Sequence, residues 1–220
     1  MSETAETHVR GSEQPEAAET PPSRRRSGAN VLRELKRVDA AVYCAVERTR
    51  TPILDVPLRR LSRFADHSKL WLVVAAALFA LGGQSGRRAA VTGVAAIGLN
   101  SALANQPLKA FSRRARPVRG TVDVSTARHV HMPTSTSFPS GHSAAGFAFA
   151  GAVAGFKPGL GLPLRGLAAV VAYSRVHTGV HFPGDVVVGA LLGIAIGEGT
   201  ALAARTSLQK RASRATGAPA

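Results

Sequence analysis

The sequence predicts an all-α fold: a membrane-embedded antiparallel helix bundle of about five spanning helices, preceded by amphipathic N-terminal helices. Three observations lead there. The chain of 220 residues is only 45% hydrophobic, yet its Ala, Val, Leu, Ile and Gly are gathered into long runs with few charges. Each run approaches the roughly 20 residues that cross a bilayer as a helix. The connections between runs are short, so consecutive helices must pack as antiparallel neighbours.

Residues 1–30 come first. They hold Glu3, Glu6, Glu13, Glu16 and Glu19 among Ser, Thr and Pro, with almost nothing apolar. Such a segment cannot bury enough surface to offset its ordering entropy and is expected to be disordered. It also lacks the basic and apolar regions of a signal peptide, so insertion must rest on internal segments. Residues 31–66 read as amphipathic interfacial helices. Leu32, Leu35, Val38 and Val42 recur at three and four, with Arg33, Glu34, Lys36 and Arg37 between them. After Pro52 the pattern repeats in Leu54, Leu58, Leu61 and Phe64. This spacing places one apolar face on the membrane surface.

Residues 67–204 form the expected transmembrane core. Its spans are read at 70–86, ending before Arg87 and Arg88; at 89–108; at 143–156; at 160–174; and at 185–204, which contains Glu198. Gly189, Gly193 and Gly197 recur every four residues and mark a packing stripe, because small residues let helices approach closely in lipid. Residues 205–220 are read as a loose, basic cytoplasmic tail.

Charge and cysteine narrow the function. The net charge is +15, but the arginines fall between apolar segments without forming a stripe and aromatics are scarce. Nucleic acid is therefore not an expected partner; membrane lipids with anionic head groups are. Cys44 stands alone, so no intrachain disulfide and no cysteine-based metal site can form. His129 and His131 make an H-x-H pair without a third ligand at metal spacing, and His8, His67 and His177 carry no pattern.

Three polar clusters remain. They are Lys109 with Arg116-Pro117; Pro139-Ser140-Gly141-His142; and Ser174-Arg175 followed by His181 and Asp185. The cations suit a phosphate, Arg as a planar fork and Lys as a point charge. Ser140 is placed to cap a helix, and Gly141 lets backbone N–H groups approach an anion. Pro183 opens the last helix, so Asp185 in its first turn can hold one imidazole nitrogen of His181. That arrangement orients a nucleophile or a base. Arg113, Arg114 and Arg119 lie outside the clusters and are expected to snorkel to lipid head groups.

Together the clusters resemble the type 2 phosphatidic acid phosphatase superfamily, whose signature is K-x6-R-P, P-S-G-H and S-R-x5-H-x3-D. The resemblance runs from about residue 39 to 204 and is closest to the small bacterial membrane branch. It implies a multi-pass cell-membrane phosphatase acting on a lipid phosphate or diphosphate through a phosphohistidine. In that scheme His181 is the nucleophile, Asp185 orients it, and His142 is the acid and then the base. Lys109, Arg116, Ser140, Gly141 and Arg175 hold the phosphoryl oxygens, so neither metal nor cofactor is called for. The resemblance also implies catalytic loops outside the cytoplasm, whereas family members usually have six spans and five are read here. A vanadate-dependent haloperoxidase-like enzyme and a non-catalytic basic lipid-binding membrane protein are the alternatives. Which lipid is cleaved, and the oligomeric state, are left open by the sequence.

Overall fold

The computed structural model describes residues 24–103, 112–119 and 126–216. The chain forms two compact units, Met1–Lys36 and Arg37–Ala220. Among the described residues every regular element is helical: α1 (Arg24–Arg48), α2 (Pro52–Phe64), α3 (Lys69–Leu81), α4 (Gly83–Leu103), α5 (Gly141–Ala154), α6 (Gly161–His177) and α7 (Pro183–Thr216). In the first unit the described part is the beginning of α1, with Leu32 and Leu35 exposed. Residues 24–30, expected to be disordered, are helical.

In the second unit, α5 is the central helix. Ten of its residues from Ser143 to Val153 are buried, and it packs against α4, α6 and α7. Trp71 of α3 and Phe149 of α5 stack at 5.6 Å between ring centroids, both almost wholly enclosed. The outer faces carry the opposite pattern. Leu72, Phe79, Val91, Leu99, Leu162, Val170, Val187, Leu191 and Leu202 are exposed large apolar residues on α3, α4, α6 and α7. So much exposed apolar surface requires lipid around it.

The glycine stripe sets the distance between α5 and α7. A Cβ at Gly189 would lie 2.5 Å from the Ser140 carbonyl oxygen; at Gly193, 2.3 Å from that of Ala144; at Gly197, 2.3 Å from that of Ala148. Only glycine permits this backbone-to-backbone approach. It brings the start of α5 against the start of α7, where the Ser140 N–H donates to the Asp185 carbonyl at 2.9 Å. Ser143 Oγ donates to the Val186 carbonyl at 2.7 Å.

Several boundaries differ from those read in the sequence. The first run does not continue to residue 86. It stops at Leu81, and Gly83, at φ +62°, turns the chain into α4. Arg87 and Arg88 therefore lie inside α4, where Arg87 sits over the Phe79 ring at 5.6 Å. Arginine is a good helix former and its long stem can carry the charge to the interface, so a pair of them need not end a helix. The basic C-terminal stretch is likewise no separate segment, because α7 continues to Thr216 through residues that favour helix. Among the described residues, Pro183–Ala215 alone is long and apolar enough to cross a membrane. α2 and the 66–81 segment meet that test as a pair bent by 64°.

The glycine contacts give a direct prediction. Gly193→Ala should lower the thermal midpoint of the detergent-solubilised protein, since overpacking costs roughly 1–3 kcal/mol. Gly199→Ala, with nothing within 4 Å, should leave it level or slightly raised because alanine favours helix. Equal midpoints for the two variants would remove the close approach as a requirement.

Candidate active site

Four chain segments converge at one end of the bundle. They are the turn Asp66–Ser68 between α2 and α3, the stretch 112–119, the start of α5, and the loop from α6 into α7. A cavity of about 600 Å³ opens there, lined among others by Asp66, Arg116, Gly141, His142, Arg175 and His181. Of the residues singled out in the sequence, His181, His142, Asp185, Arg116, Ser140, Gly141 and Arg175 meet at this end, while Lys109 lies outside the described residues.

His181 is 97% enclosed. Its Nδ1 faces Asp185 Oδ2 at 3.6 Å, just beyond a hydrogen bond, and its Nε2 stands 3.3 Å from Arg116 Nη1. Burial pushes its pKa down to about 4; the nearby Asp185 works against this, and the Arg175 and Arg116 charges add to it. The imidazole is consequently neutral at pH 7, with an unprotonated nitrogen available.

Asp185 is fully buried and densely held. Oδ2 accepts the Phe182 N–H at 2.9 Å, and Oδ1 accepts Arg114 Nη1 at 3.0 Å. Arg114 also pairs with Asp39 of α1, whose other oxygen accepts the Gly184 N–H at 2.6 Å. The Arg114 guanidinium lies 4.4 Å from the Phe182 ring. Arg114 is therefore no snorkelling residue, contrary to expectation. It neutralises the buried carboxylate that faces His181. Arg119 is also engaged, donating to the carbonyls of Gly179 at 3.1 Å and Val130 at 2.7 Å. Arg113 is exposed.

The cationic side is fixed in the same way. Arg116 donates to the carbonyls of Ser135 at 2.8 Å and Val180 at 2.7 Å. Arg175, 2% exposed, donates to Ser62 Oγ of α2 at 2.6 Å. Among the described residues its Nε is buried with no hydrogen-bond partner, and the same is true of Ser140 Oγ. Ser140 occupies the N-cap of α5, yet its hydroxyl does not cap the helix. A buried donor without an acceptor costs free energy, and two of them here suit an anion with several oxygens.

His142 has a partner absent from the motifs. Its Nε2 lies 2.8 Å from Asp66 Oδ1, and the same oxygen is 3.6 Å from Arg175 Nη1. Burial would raise the Asp66 pKa, but the His142 hydrogen bond and the charges of His142 and Arg175 outweigh it, leaving the carboxyl below its ordinary value. The turn bearing Asp66 is conformationally special, with His67 and Ser68 at φ 54° and 60°. His177, which carried no pattern in the sequence, is buried 2.9 Å from Thr51 Oγ1 and 3.3 Å from Asp55, which also pairs with Arg128. That cluster fastens α2 and the Thr126–Arg128 turn to α6. Neither Asp66 nor Asp39 carries a local sequence signal, since each sits on an amphipathic segment where an acidic residue is ordinary.

Comparisons with known proteins give the family and the fold. A family model described as the PAP2 superfamily matches residues 89–208. The decaprenylphosphoryl-5-phosphoribose phosphatase of Mycobacterium tuberculosis strain H37Rv is 34% identical over 166 residues, covering 73% of this chain and 88% of that protein. The protein of the same name from Mycolicibacterium smegmatis is 36% identical over 135 residues, covering 60% of this chain and 68% of its own. Among solved structures, Aquifex aeolicus LpxE is similar with a TM-score of 0.60 and 29% identity, over 74% of this chain and 94% of that one. A transmembrane PAP2 type phosphatidylglycerolphosphate phosphatase from Bacillus subtilis has the same fold, with a TM-score of 0.62 and 23% identity over 80% and 87% of the two chains.

Two outcomes test the electrostatics. In protein carrying ¹⁵N-labelled histidine, the His181 ring should stay neutral from pH 8 to about pH 5, because its depressed pKa delays protonation; titration near 6.5 would contradict the burial argument. Arg114→Met leaves Asp185 a buried charge short of its partner, which is strongly destabilising. It should cut turnover at least roughly tenfold and lower the thermal midpoint, whereas Arg113→Met should do neither.

Proposed function

This chain belongs to the PAP2 superfamily, and we propose that within it the protein removes the terminal phosphate from a phosphorylated sugar carried on a polyprenyl phosphate. It is a phosphatase of lipid phosphates and a membrane protein. The finer reading of its substrate is supported by the named activity of the mycobacterial relatives, of which this chain covers up to 88% at 34% identity.

The observation that carries the mechanism is that a neutral, carboxylate-backed His181 lines one cavity with Arg116, His142 and Arg175, whose Nε has no partner among the described residues. His181 Nε2 attacks phosphorus in line with the bond to the sugar oxygen. As the P–O bond breaks, His142 gives its proton to the departing oxygen. A phosphohistidine and a free sugar hydroxyl result. His142, now neutral, takes a proton from water as its oxygen attacks phosphorus, the P–N bond breaks with its electron pair returning to His181 Nε2, and inorganic phosphate leaves. Asp185, 3.6 Å from Nδ1, faces the ring from behind and balances the positive charge that His181 gains. Arg116, Arg175, Ser140 and the Gly141 N–H, with Lys109 as the remaining cation, steady the equatorial oxygens as charge builds on them.

The five antiparallel helices α3–α7 support a multi-pass arrangement with every catalytic segment at one face. The far end of α7 bears Arg205, Lys210, Arg211 and Arg214. By the positive-inside rule this is a modest excess in favour of a cytoplasmic C-terminus, and it supports reading the active site on the opposite side.

Phosphate release from the purified protein tests the reading. Across polyprenylphosphoryl-ribose 5-phosphate, phosphatidate, phosphatidylglycerol phosphate and a polyprenyl diphosphate, the ribosyl substrate should show the highest kcat/KM. His181→Ala should abolish release from all of them. Preference for phosphatidate would overturn the substrate assignment, and near-normal turnover by His181→Ala would overturn the mechanism.

A further inference from the structure

One polar group in the catalytic cavity has no part in this mechanism. Asn100 lies near the catalytic end of α4, is 1% exposed and lines the cavity beside Ile97 and Ser101. Its Oδ1 is buried and accepts no hydrogen bond among the described residues. An amide acceptor inside a lipid-embedded helix is costly when unsatisfied, and such residues mark ligand sites in membrane proteins.

The ligand must therefore bring a donor. A phosphoryl group with its oxygens ionised brings none, and neither does a prenyl or acyl chain or a doubly esterified glycerol. A hydroxyl does. The cavity of about 600 Å³ is lined by Arg116, Gly141 and Arg175, by Asn100, and by the apolar Leu72, Ile97 and Ala145. A neutral amide suits an acceptor in the same cavity as the phosphate-binding residues, since a carboxylate would repel the phosphate. We propose that Asn100 is a substrate-specificity residue whose Oδ1 accepts a hydroxyl of the sugar-type group lying between the scissile phosphate and the lipid chain. This rests on the reading of the active site given above and adds how it selects its substrate. A site built to hydrogen-bond a hydroxyl rejects an analogue that lacks it, because the buried acceptor is then left unpaired.

The experiment compares polyprenylphosphoryl-ribose 5-phosphate with its 2,3-dideoxy counterpart, using the full chain in detergent. Wild type should favour the hydroxylated substrate by roughly ten- to a hundredfold in kcat/KM. Asn100→Leu, close in volume and suited to an apolar helix, should bring that ratio near one. Should Asn100→Leu fail to accumulate, the wild-type ratio and Asn100→Ala decide. Equal turnover of both substrates by wild type, or an unchanged ratio in the variant, overturns the assignment of Asn100. Hydrolysis of phosphatidate with no turnover of either ribosyl substrate would instead overturn the proposed function.

Discussion

The site depends on one contact, the backbone of α5 lying directly on the backbone of α7. The residues that carry chemistry sit at the first turns of these two helices, His142 on one and Asp185 on the other, with His181 just before the second. Three glycines on α7 let the carbonyls of Ser140, Ala144 and Ala148 come closer than any Cβ would allow. The register is then pinned by Ser140 N–H on the Asp185 carbonyl and Ser143 Oγ on that of Val186. Packing of small residues is the natural way to hold helices together where lipid removes the hydrophobic drive. Here the same packing fixes the spacing of His181 and His142, the proposed nucleophile and acid.

Once the two helix starts are fixed, charge decides the rest. A phosphate pocket concentrates cations, and each must be held without being neutralised. Arg116 is therefore fastened mainly by backbone carbonyls, partners that orient a guanidinium yet leave its charge for the substrate, while Arg175 is held by a serine hydroxyl at 2.6 Å and more loosely by Asp66 at 3.6 Å. Two carboxylates each face an imidazole, Asp185 behind His181 and Asp66 beside His142. Asp185, having no solvent, needs its own counter-charge, which Arg114 supplies while Asp39 and the Gly184 N–H complete the chain. The amphipathic helices before the bundle thus belong to the site: α1 contributes Asp39, α2 contributes Ser62, and the turn after α2 contributes Asp66.

Much of this was legible in the sequence, and its limits have physical causes. The helical class and the packing role of Gly189, Gly193 and Gly197 could be read because lipid imposes composition and close approach imposes glycine. The motif spacing brought His142, Arg116, Arg175, His181 and Asp185 together on paper because each is tied to a helix start or a short loop. Arg114 could not be told from a snorkelling arginine, since what distinguishes it is a partner 71 residues away. Asp66 and Asp39 were invisible for the same reason. Helix ends were misread wherever charge was taken as a stop, at Arg87-Arg88 and at Arg205, because long basic side chains can leave the bilayer while their backbone stays helical.

The account stands or falls on a covalent bond between phosphorus and His181. Rapid mixing with a ³²P-labelled lipid phosphate, followed by an alkaline quench in denaturant, should leave label on the protein. That label should be stable to base, released by acid and located by peptide mapping at His181. Label that never appears on the protein while phosphate is still released, or label that maps to another residue, would contradict the account.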